Sequence, residues 1–158
     1  MIKTILKLDK FLRSNNIEYM ITGTTALYLL GMPSSYAPND IDVKVTHLTE
    51  EQIKKLKELQ ALSGLENDEY GNSKCVCYSF KISSFYGDMK VNVLHDDSSN
   101  LLAESVYAIL SQNAKAVERP ILVQKACYAL IDKKKLNRVK DVKYIYILDL
   151  VNNLTDEI

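Results

Sequence analysis

Apolar and polar residues recur with two different periods along the chain, and the change of period separates predicted helices from predicted strands. Residues 2–14 place apolar side chains at helical spacing with lysines between them, which predicts an amphipathic helix ending at the polar residues 14–16. Residues 17–21 are mostly apolar and rich in β-formers, so they predict a short buried strand. A Thr-Gly-Thr-Thr sequence interrupts it, and residues 26–30 then predict a helix.

A second strand is predicted where charged and aliphatic side chains alternate strictly. Residues 40–45 place two aspartates and a lysine on one face and aliphatic side chains on the other, as in a strand with one apolar face. A capping-box sequence at residues 49–52 predicts the start of a helix that continues for about three turns. Residues 75–82 and 89–94 predict two further strands joined by a hairpin.

The rest of the chain has a helical pattern. Helices are predicted over residues 99–110, 121–135 and 138–150, with a polar break at residues 136–137. The sequence therefore predicts a strand-rich first half followed by a helical tail.

This order of elements predicts an α+β fold, in which helices cover a mixed sheet and a helical tail follows at the C-terminal end. We expect the sheet core over about residues 17–95 and the helical part over about residues 99–152. A single domain, residues 1–158, is predicted because no internal repeat, low-complexity segment or linker interrupts the pattern.

Composition and charge limit the classes of partner that the protein is expected to bind. Its 20 basic and 20 acidic side chains cancel, so no overall field draws it onto nucleic acid or an anionic membrane, although a local basic patch is compatible with this balance. Charges interrupt the apolar residues at the start of the chain, and no apolar run approaches the roughly 18 residues that span a bilayer. Cys75, Cys77 and Cys127 fit reduced thiols. We expect a cytoplasmic protein with neither signal peptide nor membrane segment.

Gly23 and Thr24 lie where the first predicted strand turns into a helix. Glycine at such a junction lets a phosphate approach the backbone, and the first amides of the following helix favour an anion. Thr24 and Thr25 add hydroxyl donors. Taken alone, this feature has an ordinary structural alternative, a simple strand-to-helix turn.

Asp40 and Asp42 are two residues apart on a predicted strand, so both carboxylates point to the same side. Two like charges this close raise each other's pKa unless a cation lies between them. Mg²⁺ suits such a pair because it prefers hard oxygen ligands and accepts phosphate oxygens, whose charge it then polarises. A solvated strand face is the alternative. Together, however, the glycine turn and the aspartate pair have the order and spacing of one nucleotide site.

These motifs resemble the signature of minimal nucleotidyltransferases of the polymerase-beta superfamily. In the segment ITGTTALYLLGMPSSYAPNDIDVKV, residues 21–45, a glycine turn opens a helix and Asp-x-Asp follows on the next strand. Its Gly-Thr-Thr-Ala-Leu and Asn-Asp-Ile-Asp-Val sequences are similar to the AbiEii-like branch, the toxins of type IV toxin–antitoxin and abortive-infection systems. That branch also carries a lysine in one helix and a later Arg-x-Lys/Arg-Asp, and Lys125 and residues 138–141 resemble this pattern.

The resemblance implies a polymerase-beta-like nucleotidyltransferase fold that binds a nucleoside triphosphate (NTP) with Mg²⁺. It implies transfer of a nucleotidyl group to RNA, such as tRNA, or to protein, and a cognate antitoxin as partner. By this resemblance Gly23, Thr24 and Thr25 contact the nucleotide, with Gly23 and Thr24 at its phosphates.

The resemblance also assigns the charged residues of the site. Asp40 and Asp42 would hold Mg²⁺, Lys125 would meet phosphate or base, and Asp141 would orient Lys125 or the acceptor. A surface helix face with salt bridges is the structural alternative for Lys125 and residues 138–141.

Three positions depart from the family pattern. Thr24 stands where glycine or serine is usual, and it keeps a hydroxyl. Tyr36 stands roughly where related toxins often have an arginine, which removes one phosphate-binding charge. Asn92 occupies the best-aligned position for the third carboxylate, and a neutral amide supplies neither the charge nor the base for an acceptor hydroxyl. Asp88 or Asp96 could substitute only after a shift of register or strand end.

Asn92 leaves a second functional hypothesis open, a catalytically degenerate nucleotidyltransferase fold that serves as a binding or structural module. The remaining polar clusters have ordinary interpretations. Residues 95–97 predict an Asx-rich turn, with a ligand or base cluster as the alternative, and Tyr128, Tyr144 and Tyr146 predict core side chains with wet hydroxyls. Residues 133–135 predict a solvated helix end, with a basic patch that includes Lys140 and Lys143 as the alternative.

Overall fold

Helices and strands alternate along the chain in the computed structural model, which describes residues 1–31, 38–64, 76–84, 87–110, 119–146 and 149. In chain order the elements are α1 (Ile2–Ser14), β1 (Met20–Thr22), α2 (Gly23–Leu29), β2 (Asp40–Val45), α3 (Glu50–Ser63), β3 (Val76–Ser84), β4 (Gly87–His95), α4 (Leu101–Glu104), β5 (Ser105–Leu110), β6 (Arg119–Gln124) and α5 (Ala126–Leu136). A turn of 3-10 helix, Val139–Asp141, follows α5, and residues 142–146 are helical.

The strands form one mixed sheet in the order β3-β4-β2-β1-β6-β5. β1 is antiparallel to β2 and parallel to β6, and β2 is parallel to β4. Two antiparallel pairs, β3 with β4 and β5 with β6, form the two sides of the sheet. Because Thr22 at the end of β1 pairs with Asp42 near the start of β2, the glycine turn and the aspartate pair meet at one end of the central strands.

One face of the sheet packs against α1 and α3 and forms the main core. Ile41, Val43 and Val45 of β2 are fully buried there, as the alternation of β2 predicts. Helix α1 contributes an apolar stripe that includes Leu8 and Leu12, both fully buried. Burying each such aliphatic side chain stabilises the fold by about 1.5–3 kcal/mol. The core therefore fixes which face of β2 carries the polar residues.

The opposite face of the sheet is polar at its centre and carries a smaller apolar cluster beside it. Leu27 of α2, Ala129 and Leu130 of α5, and Tyr144 form this cluster. Helices α2 and α5 therefore pack together next to the end of the sheet that carries the aspartates.

The prediction of the first half of the chain is largely confirmed. Helix α1, strand β2 and the antiparallel pair β3 and β4 lie where the pattern places them. The capping box at the start of α3 is present, with Thr49 and Gln52 bonded to each other's backbone amides. Two boundaries differ, since β1 begins at Met20 and α2 begins directly at Gly23. Tyr36 and Cys75 lie outside the described residues.

The prediction of a helical tail was wrong in two places. Residues 105–110, predicted as helix, form β5, and residues 121–124, predicted as the start of a helix, belong to β6. Both segments are short apolar runs, in which periodicity does not separate a buried strand from a helix. Residues 121–124 are extended because β6 pairs with β1, and residues 105–110 are extended because β5 pairs with β6. The sheet therefore continues well beyond residue 95.

None of the helices in the described part of the chain is long and apolar enough to cross a membrane.

Candidate functional site

Gly23 makes the turn between β1 and α2 in a backbone conformation that favours glycine. Its φ angle is +65°, in the left-handed region. Its amide donates a hydrogen bond to Oε1 of Gln124 at 3.2 Å. A Cβ atom at Gly23 would lie 3.5 Å from Oδ2 of Asp42. The glycine turn is therefore in close contact with the carboxylate of Asp42.

Hydroxyl groups of the turn bind the backbone of β2. Thr25 donates to the carbonyl oxygen of Asp40 at 2.8 Å, and Thr22 donates to that of Asp42 at 3.3 Å. These bonds hold the start of β2 against α2. The hydroxyl of Thr25, predicted to face a nucleotide, thus has a bond within the protein.

Burial raises the pKa of the Asp42 carboxyl group, and the nearby charge of Asp40 raises it further. A hydrogen bond from Asn92 and the charges of Arg138 and Lys133 lower the pKa, but the net direction is upward. An ionised Asp42 is thus under-compensated by its protein neighbours. A cation beside it would supply the missing compensation, as the Asp-x-Asp pattern predicts.

Asn92 lies directly beside Asp42 in the parallel pairing of β2 with β4. Its Nδ2 donates to Oδ1 of Asp42 at 2.8 Å, and its Oδ1 accepts from the hydroxyl of Ser79 at 2.7 Å. The position predicted for a third carboxylate is therefore adjacent to the pair. There the amide binds one oxygen of Asp42 as a donor, and its own carbonyl oxygen is bonded to Ser79.

Lys133, predicted to lie at a solvated helix end, is buried beside the glycine turn. Nζ of Lys133 donates to Oδ1 of Asp141 at 3.1 Å and to Oγ1 of Thr24 at 3.2 Å. It also lies 4.9 Å from the centre of the Tyr144 ring, a cation–π contact. Lys133 thus joins α5 to the glycine turn and to the segment after α5. Its neighbours Lys134 and Lys135 are exposed, as predicted.

The carboxylate of Asp141 is buried and uses both oxygens in ion pairs. Oδ1 pairs with Lys133, and Oδ2 accepts from Nε of Arg138 at 2.7 Å. Burial alone would raise the pKa of Asp141, but the hydrogen bonds and charges of Arg138 and Lys133 lower it below its ordinary value. Asp141 is therefore held ionised at neutral pH.

A cavity of about 290 Å³ opens beside the aspartate pair. Its walls combine carboxylates from β2, cations from the segment after α5, and hydroxyls from the glycine turn. Among the described residues that line it are Thr24, Thr25, Asp40, Asp42, Arg138, Lys140, Asp141, Lys143 and Tyr144. A cavity lined both by carboxylates and by three cationic side chains suits a ligand with several phosphates and a divalent metal.

Six of the predicted site residues lie in or beside this cavity. Lys125 is the residue before the first turn of α5, and it is not among the described residues that line the cavity. The lysine bonded to Asp141 is Lys133, eight residues further along the chain. One sequence signal identifies Lys133, since it follows the buried Ala129 and Leu130 at helical spacing and lies on the apolar face of α5.

The prediction of an Asx turn after β4 is confirmed. Oδ1 of Asp96 accepts from the backbone amide of Ser98 at 3.0 Å and from its hydroxyl at 2.6 Å. Although burial acts to raise the pKa of Asp96, these bonds and the charge of Lys44 lower it. Asp96 is therefore bonded within its own turn.

The donor set of the site fits Mg²⁺ when a nucleotide supplies the remaining ligands. No group of three or more His, Cys, Asp and Glu side chains that could hold a metal occurs among the described residues. Mg²⁺ in nucleotide sites is commonly held by one or two carboxylates, with phosphates and water completing its ligands. Asp40 and Asp42 both line the cavity and provide two hard oxygen donors.

Solved structures of other proteins share this fold. A crystal structure of a proposed nucleotidyltransferase from Thermotoga maritima matches with a TM-score of 0.57 at 15% identity, covering 96% of this chain and 92% of that one. An antigenic nucleotidyltransferase-like protein from Paracoccidioides brasiliensis matches with a TM-score of 0.54 at 18% identity, covering 93% and 74%. No protein-family model and no curated protein matches the sequence.

The chain therefore has the nucleotidyltransferase fold, an α+β architecture in which the described residues form a six-stranded mixed sheet. The fold prediction made from the glycine turn and the Asp-x-Asp strand is confirmed.

Proposed function

We propose that this protein binds a nucleoside triphosphate with Mg²⁺ in the cavity beside β2 and transfers a nucleotidyl group to an acceptor. One observation carries the proposal. Asp40 and Asp42 line, beside the Gly23 turn, the same cavity that Arg138, Lys140 and Lys143 line, and burial raises the pKa of Asp42. Such a cavity has a place for a divalent cation and a place for polyphosphate.

Asp40 and Asp42 would hold Mg²⁺, which when bound supplies Lewis-acid charge to the phosphates. Lys140 and Lys143, which line the same cavity, would neutralise the phosphate charge together with Arg138. These three cations supply the positive charge that an arginine in place of Tyr36 would otherwise add. Asp141 and Lys133 hold the segment after α5 in place through their buried ion pair.

Nucleotidyl transfer needs a nucleophilic oxygen on the acceptor. That oxygen forms a bond to the α-phosphorus of the triphosphate, the bond from this phosphorus to the bridging β-phosphate oxygen breaks, and pyrophosphate leaves. Asn92 is an amide and cannot take the proton of an acceptor hydroxyl. Proton removal therefore falls to Asp40, Asp42 or solvent.

The acceptor we propose is RNA, such as tRNA, or a protein, in the setting of an AbiEii-like toxin with a cognate antitoxin in the cytoplasm. The support is the sequence resemblance at residues 21–45 and 138–141. The exposed Lys135 adds a positive charge in the last turn of α5, close in sequence to the cations of the cavity, which favours a polyanionic acceptor.

Transfer is tested by incubating the protein and Mg²⁺ with each of the four α-³²P-labelled ribonucleoside triphosphates and with total tRNA or bacterial protein. We expect label on one acceptor class in the wild type and none with Asp42→Asn. Glu58→Gln, an exposed carboxylate change on α3, serves as the matched control and should label as the wild type does. Absence of both label transfer and Mg²⁺-dependent triphosphate binding would contradict the proposal.

A second candidate function is a nucleotide-binding module without catalysis. The observation that favours it is the bond from Asn92 to Asp42, which places an amide where the family's third carboxylate is expected. This candidate predicts Mg²⁺-dependent triphosphate binding without label transfer to any acceptor. The same incubation, combined with a binding measurement, separates the two functions.

Replacing Asn92 with aspartate should make the stability of the protein depend on Mg²⁺. The new carboxylate would lie beside Oδ1 of Asp42, where the amide now donates at 2.8 Å. Loss of this bond and repulsion between the carboxylates should lower the free energy of unfolding by about 1–3 kcal/mol in EDTA. Millimolar Mg²⁺ should restore it, because the cation compensates the added charge.

Denaturant unfolding with EDTA or Mg²⁺ measures this effect. Asn100→Asp is the matched control, because Asn100 caps α4 at the surface and aspartate serves equally well as a cap. Equal unfolding of Asn92→Asp in EDTA and in Mg²⁺ would show that no cation binds between these carboxylates.

A further inference from the structure

Gln124 is a buried glutamine at the end of β6, and both ends of its side-chain amide are bonded. The residue is 1% exposed. Its Oε1 accepts from the amide of Gly23 at 3.2 Å, and its Nε2 donates to Oδ2 of Asp132 at 2.9 Å. Gln124 therefore links the glycine turn to helix α5 through one side chain.

Helix α5 reaches the glycine turn at two adjacent points. Asp132 reaches Gly23 through Gln124, and the next residue, Lys133, reaches Thr24 directly at 3.2 Å. Asp132 also lies 3.9 Å from Nζ of Lys44, which projects from the same face of β2 as Asp42. The turn is thus held from α5 at two successive residues.

The position of Gly23 matters for the site because its α-carbon side faces Asp42. Thr22, directly before Gly23, donates to the carbonyl oxygen of Asp42 at 3.3 Å. Thr25 donates to that of Asp40 at 2.8 Å, so a displaced turn would displace the strand that carries both carboxylates. The amide of Gly23 donates to Oε1 of Gln124 at 3.2 Å. Its role in the structure is to anchor the turn.

We propose that Gln124 is a positioning residue, which sets the place of the Gly23 turn relative to Asp42 and thereby the affinity for the metal–nucleotide complex. The effect on affinity rests on the proposed function, and the effect on the turn does not. Groups that orient metal-binding residues typically change metal affinity 10- to 100-fold when they are lost.

The test combines two measurements on Gln124→Leu, which removes both bonds at similar volume. We expect affinity for Mg²⁺ with each ribonucleoside triphosphate, measured by calorimetry, to fall about 10- to 100-fold. We also expect hydrogen exchange at the Gly23 amide in the absence of nucleotide to become faster relative to exchange in the main core. The matched control is Gln60→Leu, at another buried glutamine on α3, which should change neither quantity.

Changes at Asp132 keep the test decisive if Gln124→Leu does not fold, because the side chain of Asp132 is half-exposed. Asp132→Asn retains an oxygen acceptor for Gln124 and should bind the nucleotide as the wild type does, whereas Asp132→Ala should bind it several-fold more weakly. The inference would be overturned if hydrogen exchange at the Gly23 amide were unchanged in both Gln124→Leu and Asp132→Ala. It would also be overturned if Gln124→Leu and Gln60→Leu lost equal affinity for the nucleotide with Mg²⁺.

The two proposals fail in different ways. A wild type that binds no nucleotide contradicts the proposed function, and the exchange rate at Gly23 then decides the role of Gln124 by itself. A wild type that binds nucleotide as tightly as Gln124→Leu contradicts the positioning role and leaves the proposed function in place.

Discussion

Asp42→Asn is expected to abolish Mg²⁺-dependent binding of triphosphate while leaving the protein at least as stable as the wild type at pH 7. Asparagine keeps an oxygen that accepts from Asn92, so the hydrogen bond at 2.8 Å is retained. It removes a carboxyl group whose pKa is raised by burial and by the charge of Asp40. In the wild type, ligand at 100 times its dissociation constant should raise the melting temperature by about 5–10 °C, and the variant should lose this rise.

The stability difference should depend on pH in a defined direction. The pKa of Asp42 is higher in the folded protein than its ordinary value of 3.8, so its contribution to stability is fully present below pH 3.8. That contribution is lost as the pH rises through the folded pKa, where Asp42 ionises. The advantage of Asp42→Asn should therefore be absent near pH 3.5 and largest at neutral pH.

Thermal melts between pH 3.5 and 7.5, with and without nucleotide and Mg²⁺, measure both effects. Glu58→Gln changes an exposed carboxylate on α3 in the same way and should melt like the wild type throughout. A clear loss of stability in Asp42→Asn at pH 7 would mean that Arg138 and Lys133 overcompensate the charge of Asp42.

Breaking the buried ion pair of Lys133 with Asp141 is expected to have the largest effect on stability. Their side chains are 4% and 3% exposed, and Asp141 pairs with Arg138 as well. Asp141→Asn leaves Lys133 buried without its carboxylate and should lower the free energy of unfolding by about 3–5 kcal/mol. Lys133→Met should cost less, since Arg138 still pairs with Asp141 and the methionine fills the space.

A neighbouring exposed pair provides a matched control of the same chemistry. Nζ of Lys134 lies 3.1 Å from Oδ1 of Asp149, with side chains 51% and 47% exposed. Lys134→Met and Asp149→Asn should each cost about 0–1 kcal/mol, because solvent screens an exposed pair. Urea unfolding of all four variants gives the comparison. Equal losses at the buried and exposed pairs would contradict the role assigned to Lys133 and Asp141.

The ion pair also predicts how stability responds to acid. The pKa of Asp141 is lower in the folded protein than its ordinary value of 3.8, so its contribution is fully present above pH 3.8. It is lost as the pH falls through the folded pKa. The difference in free energy of unfolding between the wild type and Asp141→Asn should therefore be constant near neutral pH and become smaller below about pH 3.8. This pH dependence is opposite in direction to the one expected for Asp42→Asn.

The aspartate pair and its strand were predictable because both depend on local pattern. Alternation along residues 40–45 assigns Asp40 and Asp42 to one face whatever the rest of the chain does. The glycine turn was predictable for a similar reason, since a left-handed residue between a strand and a helix favours glycine. Two local motifs thus indicated the fold that the solved structures share.

The cationic wall was only partly predictable. Residues 138–141 were identified by their resemblance to a motif, but Lys125 was chosen as the lysine beside Asp141, and the structure has Lys133 there. A run of three lysines is normally a solvated helix end, and two of these three are exposed. The helical spacing of Lys133 from Ala129 and Leu130 indicates its side of α5. Its burial, however, depends on how α5 packs against α2, and its partners Thr24 and Asp141 lie outside that local pattern.

Local sequence determined which residues could carry chemistry in this protein. It determined the alternation of β2, the glycine at the turn, the capping box of α3 and an amide at position 92. Each depends on side chains a few residues apart, where backbone geometry alone fixes the relation. Only the tertiary structure decided that residues 105–110 and 121–124 are strands, because short apolar runs take their conformation from the strand beside them. Only the tertiary structure joined Gln124, Lys133 and Asp141 to the glycine turn, since buried polar groups are stable only where distant partners satisfy them.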